Sequence, residues 1–501
     1  MSDAGETQAP AAPRGDEAAL AANTEPHPGG VREALKKLTG ESIVYGIGQV
    51  SGRAVQLLLV PILTRALTRG EYGVSELVQA YLQTALLVLV LGMDAALARF
   101  FYQEPDRAAR QRMVSTSLAF RIVAGVSVAL VLAACARPLA AGLVGSGDYH
   151  KYVLIGAAIL PCTLLVLFCN DVLRVTFQPW KFIALNVVNT TLVAGIALAL
   201  VLGRHLGVVG VLYGKLAGDL LTALVGLVLI RHTLRPALRT DVLKRMLRYG
   251  LPLVPVAIAY GAIASVDRYV LQHTRSIEEV AVYSLAVKFF AIVTMGVSAF
   301  QLAYFPFAYA RADSPEAPRL YARVLGLYVA AAALGAMAIG LFAPDAVRLL
   351  APSAYAGAAR PAAWLAFAAV AQGAYYVVSL GIGLALRTPL FGWSAGGAAL
   401  VAVIANLVLT PRFGPVGAGA ATSLGYIASA LLAYGIAQRV HPLPYRGGRA
   451  LAMFAVALVV TLAAQPLAGA AGVAVKLALL LAAAGAAAWL EWRGSRAPRH
   501  A

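Results

Sequence analysis

Long apolar segments and short polar connections alternate along almost the whole chain. Fourteen apolar segments of 20 to 28 residues can be counted. An α-helix rises 1.5 Å per residue, so about 20 residues cross the roughly 30 Å hydrocarbon core of a bilayer. The pattern therefore predicts an all-α polytopic membrane protein with about 14 transmembrane helices. Their predicted positions are 42–67, 74–98, 115–136, 153–175, 181–203, 206–230, 248–272, 279–306, 319–343, 360–385, 390–410, 414–438, 449–468 and 471–490.

The composition agrees with this pattern. The mean hydropathy is +0.76, 60% of the residues are hydrophobic and only 13% are charged. A soluble domain of this length does not have such a composition, so the chain is predicted to be embedded in a membrane.

The distribution of basic residues predicts the orientation in the membrane. The formal net charge is +18, and the Lys and Arg residues lie mainly in short loops. Alternating the loops between the two sides puts 26 of them on the side of the N-terminus and 10 on the other. The positive-inside rule then predicts both termini in the cytoplasm of a bacterial inner membrane. Because this charge is a topology signal, no nucleic-acid partner is expected.

The chain also contains an internal repeat. Residues 181–230 align without a gap on 388–437, at an offset of 207. The repeat predicts two six-helix lobes with parallel topology, at 31–230 and 248–440. They are joined by a basic cytoplasmic linker at 231–247, and two further helices and a short cytoplasmic tail follow at 441–501. Residues 1–30 have acidic, Ala, Pro and Gly residues without an apolar run, which is typical of a disordered tail and not of a signal peptide.

The first apolar segment contains a full positive charge, Arg53, near its middle. Gln49, Arg53 and Gln56 share one helical face with Tyr45. An ionisable group at this depth costs at least roughly 2.5 kcal/mol, so a functional role is the first hypothesis. A polar face with a cation and no acid predicts a water-filled cavity for an anion. The alternative is an arginine that packs against backbone carbonyls of a neighbouring helix.

Two lysines are further candidates for an anion site. Lys288 lies inside a predicted helix without an acid within one turn, and either binds the anion or extends toward the membrane surface. Lys215 has Asp219 four residues later on the same face, and an internal ion pair is a sufficient explanation for it.

Six charged residues are candidates for ion coupling or gating: Arg65, Glu76, Asp171, Asp219, Asp267 and Arg268. Glu76 is predicted either to bind a coupling ion or to form an ion pair with Arg65 or Arg53. Asp171 shares a face with Arg174 at the end of a predicted helix. Asp267 and Arg268 lie near the end of the seventh segment, and they are predicted to form structural or gating ion pairs at the outer surface.

Three stretches of the chain resemble one transporter family. They are RYGLPLVPVAIAYGAIASVDRYVLQHTRSIEEVAVYSLAVKFF at 248–290, PILTRALTRGEYGVSELV at 61–78 and ANLVLTPRFGPVGAGAATSLGY at 405–426. Together they are similar to the bacterial polysaccharide-biosynthesis flippases of the Wzx type. These belong to the multidrug/oligosaccharidyl-lipid/polysaccharide (MOP) exporter superfamily.

The resemblance implies a function and a site. The function would be the translocation of an undecaprenyl-pyrophosphate-linked oligosaccharide by alternating access, for the synthesis of cell-surface polysaccharide. The pyrophosphate would bind Arg53, Gln49 and Gln56, with Lys288 and Lys215 as further ligands. Polysaccharide-assembly proteins are the implied protein partners, and the sequence leaves the oligomeric state open.

Two alternatives remain. One is an ion-coupled multidrug exporter of the same superfamily, although relatives that export cations usually have an acid in the first helix, where this chain has Arg53. The other is an integral-membrane glycan polymerase or ligase. No nucleotide-binding motif, metal-ligand cluster or catalytic constellation is present in the sequence. A non-enzymatic transporter without cofactor or metal is therefore predicted.

Overall fold

The fold is known from a computed structural model, which describes residues 57–235, 238–309, 311–312, 314–385, 387, 389–445, 447–467 and 469–496. No β-strand occurs among these residues. The helices are α1 (Leu57–Ala66), α2 (Arg69–Leu89), α3 (Met93–Gln103), α4 (Arg107–Ala134), α5 (Ala136–Val144), α6 (His150–Val175), α7 (Pro179–Arg204), α8 (Gly207–Ile230), α9 (Thr240–Gly250), α10 (Val254–Thr274), α11 (Ile277–Tyr309), α12 (Ala317–Leu350), α13 (Ala359–Val378), α14 (Leu380–Leu384), α15 (Pro389–Val440), α16 (Gly447–Ala464) and α17 (Gly469–Arg496).

The predicted all-α, multi-pass membrane fold is confirmed. In the part of the chain that the structure describes, 11 helical stretches are long and apolar enough to cross a membrane, and two shorter apolar helices, Leu57–Ala66 and Ala471–Ala486, accompany them. The predicted segments 390–410 and 414–438 appear together as the 52-residue α15. Its backbone leaves the helical conformation at Gly414, between Pro411 and Pro415, so this one element contains two of the predicted crossings.

The contacts between helices fall into two groups, which we call the two lobes. In the first lobe, defined as α1–α8, α8 packs against α6 and α7, and α4 packs against α6. In the second lobe, defined as α10–α15, α15 packs against α10 and α13, and α13 packs against α11 and α12. The exact lobe boundaries stay a prediction. Helix α2 is the main link between the lobes, because it lies against both α10 and α11.

The second helix of each lobe begins with the same kind of N-terminal cap. The side chain of Thr68 accepts a hydrogen bond from the backbone N–H of Glu71 at 3.2 Å, at the start of α2. The side chain of Ser276 accepts the same bond from Glu279 at 3.3 Å, at the start of α11. Both sequences are of the S/T-x-x-E type that satisfies free N–H groups in the first turn. The two pairs are 208 residues apart, one more than the offset of the internal repeat.

The basic linker contains a helix of its own. Helix α9 (TDVLKRMLRYG) buries Met246 and exposes Lys244, Arg245 and Arg248, and it packs on α3 and α4. A short 3-10 turn at Leu251–Leu253 separates it from α10. The two prolines of this region lie in that turn and at the start of α10, where a missing N–H costs little. We call the end of the bundle that carries α3, α9 and the α3–α4 connection the basic face, and the end that carries α5 the opposite face.

The last two helices are attached to the second lobe through buried polar groups. Gln465, which follows α16, donates hydrogen bonds from Nε2 to the carbonyl oxygens of Gly340 and Ala359, at 2.9 and 2.8 Å. Lys476 of α17 places Nζ 3.2 Å from Asp345 of α12. These contacts fix α16 and α17 against α12 and α13, because a buried polar group is costly without its partner.

Candidate functional site

The predicted anchor of the site lies outside the described residues. Gln49, Arg53 and Gln56 all precede residue 57, where the structural description begins. Their role therefore stays a prediction, and the described part of the site is built from the helices that follow.

A cation and an anion meet between the two lobes. Nζ of Lys288, in α11, lies 2.8 and 2.9 Å from the two carboxylate oxygens of Glu76, in α2. The side chains are 25% and 13% exposed, so water reaches the pair only in part. The sequence predicted Arg65 or Arg53 as an ion-pair partner of Glu76. Among the described residues, the partner is Lys288 instead. Sequence spacing alone does not reveal this contact, because the two residues are 212 positions apart.

A second cation, Arg268 of α10, lies close to this pair. Its electrostatic interactions include Glu76 as well as the adjacent Asp267. The Arg268 side chain is only 11% exposed, and its Nη1 donates a hydrogen bond to the carbonyl oxygen of Ala264 at 2.9 Å. Asp267 and Arg268 were predicted at the outer surface, and this position was wrong. The helical face that carries both residues turns toward neighbouring helices instead of toward water.

Asp267 is held by hydroxyl groups inside the second lobe. Oδ2 accepts a hydrogen bond from the Tyr283 hydroxyl at 2.5 Å and another from the Thr422 hydroxyl at 3.1 Å. Oδ1 accepts a hydrogen bond from the backbone N–H of Arg268 at 2.6 Å, whereas the guanidinium Nη1 of Arg268 lies 3.7 Å away, which is a weak ion-pair geometry. Three helices of the second lobe thus converge on one carboxylate, which can fix their relative positions or exchange a cation.

The predicted pair of Lys215 and Asp219 is confirmed. Nζ of Lys215 lies 2.8 Å from the carboxylate, which is almost fully buried within the first lobe. Asp219 also accepts hydrogen bonds from the Thr163 hydroxyl and from the Asn189 amide, at 2.5 and 2.9 Å. The carboxylate is therefore well satisfied, and the positive charge of Lys215 is balanced within its own lobe.

Asp171 belongs to a separate ion-pair network in the first lobe. It contacts Arg174 at 2.6 Å, as the spacing suggested, and also Arg121 at 2.8 Å. Arg121 is fully buried, and its guanidinium lies over the ring of Phe168. The network holds α4 against α6, so its position favours a structural role.

The opposite face is closed by contacts from the first lobe. Arg65 donates hydrogen bonds to the carbonyl oxygens of Leu349 and Leu350, the last two residues of α12, at 3.0 and 3.3 Å. A cation suits these carbonyls because the C-terminal end of a helix has partial negative charge. At Gly73, in α2, the backbone approaches the start of α11 so closely that a Cβ atom would lie 2.2 Å from the carbonyl oxygen of Ile277.

An apolar groove lies elsewhere in the molecule. It has a volume of about 230 Å³ and is lined by α12, α13, α15 and α16, including Val329, Val370, Leu431 and Phe454. Almost no polar surface faces it, so it does not suit a charged headgroup. In the described ranges, no cluster of three or more His, Cys, Asp or Glu side chains could hold a metal ion.

Comparisons with known proteins agree with this architecture. Residues 38–309 match the family model described as polysaccharide biosynthesis protein. A protein of the Lsg locus of Haemophilus influenzae is 24% identical over 287 residues, which are 54% of this chain and 66% of that relative. The match thus spans slightly less than two thirds of the relative.

Solved structures with the same fold are transporters. The inward closed conformation of the lipid II flippase MurJ has a TM-score of 0.73 at 12% identity, over 90% of this chain and 99% of that one. An outward-facing multidrug resistance MATE transporter of the MOP superfamily has a TM-score of 0.59 at 17% identity, over 80% and 95% of the two chains. The chain therefore belongs to the polysaccharide biosynthesis protein family and has the fold of the MOP superfamily.

Proposed function

We propose that the protein is a flippase for an undecaprenyl-pyrophosphate-linked oligosaccharide. It would move this lipid across the bacterial inner membrane by alternating access, for the synthesis of cell-surface polysaccharide. The family membership supports a role in this pathway, and the similarity to MurJ supports a flippase fold. The observation that carries the proposal is Lys288, a cation between the lobes whose charge is balanced by Glu76 from the other lobe.

The Lys288–Glu76 pair suggests how the substrate opens the protein. A pyrophosphate carries more negative charge than one carboxylate, and it can therefore replace Glu76 as the partner of Lys288. Since Glu76 belongs to α2, this exchange removes one of the contacts that hold the lobes together. Binding of the headgroup would thereby favour the state in which the lobes are separated. A ligand shifts a conformational equilibrium toward the state that it binds more tightly.

The remaining candidates take supporting roles in this proposal. Arg53, with Gln49 and Gln56, would supply a guanidinium to the same headgroup from the first helix. Arg65 would close the opposite face through the end of α12. Asp267 and Arg268 would couple α10 to the separation of the lobes.

We assign the basic face to the cytoplasm because it carries most of the Lys and Arg residues. The membrane potential, positive outside, would then favour outward movement of the headgroup by about 2.3 kcal/mol per charge per 100 mV. A transporter of this kind needs no chemical step, so we propose that the protein is not an enzyme.

The test uses purified protein in vesicles with a fluorescent undecaprenyl-pyrophosphate oligosaccharide. Transfer is followed by quenching with a membrane-impermeant reagent. We expect Lys288→Gln and Arg53→Ala each to reduce the rate at least roughly tenfold, because each removes a charge-assisted bond worth about 1.5–3 kcal/mol. Lys288→Arg should retain part of the activity. Lys151→Gln, at an exposed residue on the opposite face, is the control.

Full activity of Lys288→Gln would contradict the role of Lys288, and full activity of Arg53→Ala would remove Arg53 from the site. The rival exporter function is tested in a deletion strain. Accumulation of lipid-linked glycan with unchanged drug resistance supports the flippase. Lost resistance with normal glycan would instead support the exporter.

A further inference from the structure

Two arginines are stacked on aromatic rings where α3 meets α9 on the basic face. The guanidinium carbon of Arg99 lies 4.8 Å from the centre of the Tyr249 ring, and that of Arg245 lies 4.8 Å from the centre of the Phe100 ring. The two rings contact each other edge to face at 5.7 Å. Each arginine comes from one helix and its ring from the other, so the stack joins α3 to α9.

The stacked guanidinium groups have no acidic partner among the described residues. Two of the acids in this region are paired with other arginines, Asp106 with Arg112 at 3.2 Å and Asp241 with Arg239 at 3.3 Å. Residues 99–112 and 231–250 together hold ten Lys and Arg against three acids. A guanidinium over the face of a ring still has N–H groups that can point away from the ring, and phosphate oxygens bind such groups in pairs.

Aromatic residues place this stack at the level of lipid headgroups. Tyr102, one turn after Arg99, is exposed, as are Phe177 in the connection between α6 and α7 and Trp180 in the first turn of α7. Exposed Trp and Tyr side chains are typical of the boundary between the membrane and water. Leu251 and Leu253, just after α9, are also exposed and can contact lipid chains.

We propose that Arg99 and Arg245 form a binding site for an anionic phospholipid of the surrounding leaflet. The headgroup phosphate would bridge the two guanidinium groups, and its acyl chains would run along the exposed leucines. This site is separate from Lys288, which lies between the lobes, and it does not depend on the proposed transport activity.

The bound lipid would stabilise the contact of the linker helix with the first lobe. Next to the stack, the backbones of the α2–α3 and α9–α10 connections touch, and a Cβ atom on Gly250 would lie 2.3 Å from the carbonyl oxygen of Leu91. The linker helix leads directly into α10 of the second lobe. A lipid that joins α3 to α9 therefore acts on the connection between the lobes at the basic face.

The test measures lipid binding to the purified full-length protein in detergent. Native mass spectrometry and thermal unfolding are recorded with dioleoylphosphatidylglycerol, with dioleoylphosphatidylcholine and with inorganic phosphate. We expect phosphatidylglycerol to bind and to raise the melting temperature more than phosphatidylcholine. Arg99→Gln/Arg245→Gln should weaken this binding roughly tenfold or more, because each basic residue near an anionic headgroup contributes about a fivefold gain in affinity.

Two further variants make the result decisive. Arg137→Gln/Lys151→Gln removes two exposed charges from the opposite face and should leave phosphatidylglycerol binding unchanged. Arg99→Lys/Arg245→Lys keeps the charge but loses the paired N–H groups of the guanidinium, and should bind with intermediate affinity. Equal binding of both phospholipids by the unmodified protein would overturn the proposal. So would undiminished phosphatidylglycerol binding by the glutamine variant, or an equal stabilisation by inorganic phosphate, which would show a free-anion site instead of a lipid site.

Discussion

Gly207 and Gly414 are 207 residues apart and both have a positive backbone φ angle, of 54° and 57°. A Cβ atom on Gly207 would lie 2.5 Å from a carboxylate oxygen of Glu71, and one on Gly414 would lie 2.6 Å from that of Glu279. Each glycine thus meets the capping glutamate of the second helix in its own lobe. The two glycines occupy the same position of the internal repeat, and each has a glutamate of the second helix as its neighbour.

The positive φ angles predict that alanine is unfavourable at both glycines. Gly414→Ala should destabilise the protein by about 1–3 kcal/mol, since a sparsely populated conformation at positive φ has that cost for a residue with a Cβ atom. Thermal unfolding of the purified protein in detergent measures the effect. Gly435→Ala is the matched control, because this glycine lies in the same helix with open space around it. A decrease in melting temperature for Gly435→Ala equal to that of Gly414→Ala would contradict the explanation.

Gly73 should be essential for closing the opposite face. Gly73→Ala places a methyl group where the backbone of Ile277 now lies, so α2 and α11 must move apart. With the three native cysteines, Cys135, Cys162 and Cys169, replaced by serine, we expect Tyr355→Cys, at a buried residue beside Tyr72, to react with a membrane-impermeant maleimide at least several-fold faster in the Gly73→Ala background. Gly195→Ala, in open space on α7, should leave the labelling slow. Slow labelling in both backgrounds would show that the lobes tolerate the methyl group.

The Lys215–Asp219 pair should be dispensable for transport as long as it is removed as a unit. Lys215→Met/Asp219→Asn eliminates both charges, and the new amide can still accept a hydrogen bond from Asn189 through its oxygen while its NH2 group donates one to the Thr163 hydroxyl. We expect transport within about threefold of the unmodified rate, whereas Asp219→Asn alone should be less stable because Lys215 loses its partner. A folded double variant without transport would place Lys215 in the substrate site.

The two partners of the α12–α17 ion pair should respond unequally to substitution. Lys476 is 1% exposed whereas Asp345 is 43% exposed. Asp345→Asn leaves an ammonium group buried without a counter-charge, while Lys476→Met leaves only a carboxylate that water can solvate. We therefore expect the larger decrease in melting temperature for Asp345→Asn, by at least several degrees. Equal decreases would indicate that packing, and not charge, holds α17 in place.

The sequence by itself determined the membrane class, the helix positions and the repeat, because these depend on local hydrophobic patterns and fixed spacing. It also predicted the pair of Lys215 and Asp219, whose members are one helical turn apart. The family resemblance, carried by three short stretches, was confirmed by the match over residues 38–309.

Only the tertiary structure decided which distant charges meet. Lys288 contacts Glu76, and Asp267 lies inside the second lobe, because packing of the lobes brings together helices that are far apart in the chain. The stack of Arg99 and Arg245 has the same origin, since α9 folds back onto α3. A local pattern shows which face of a helix is polar, but the neighbour of that face depends on the arrangement of all the helices.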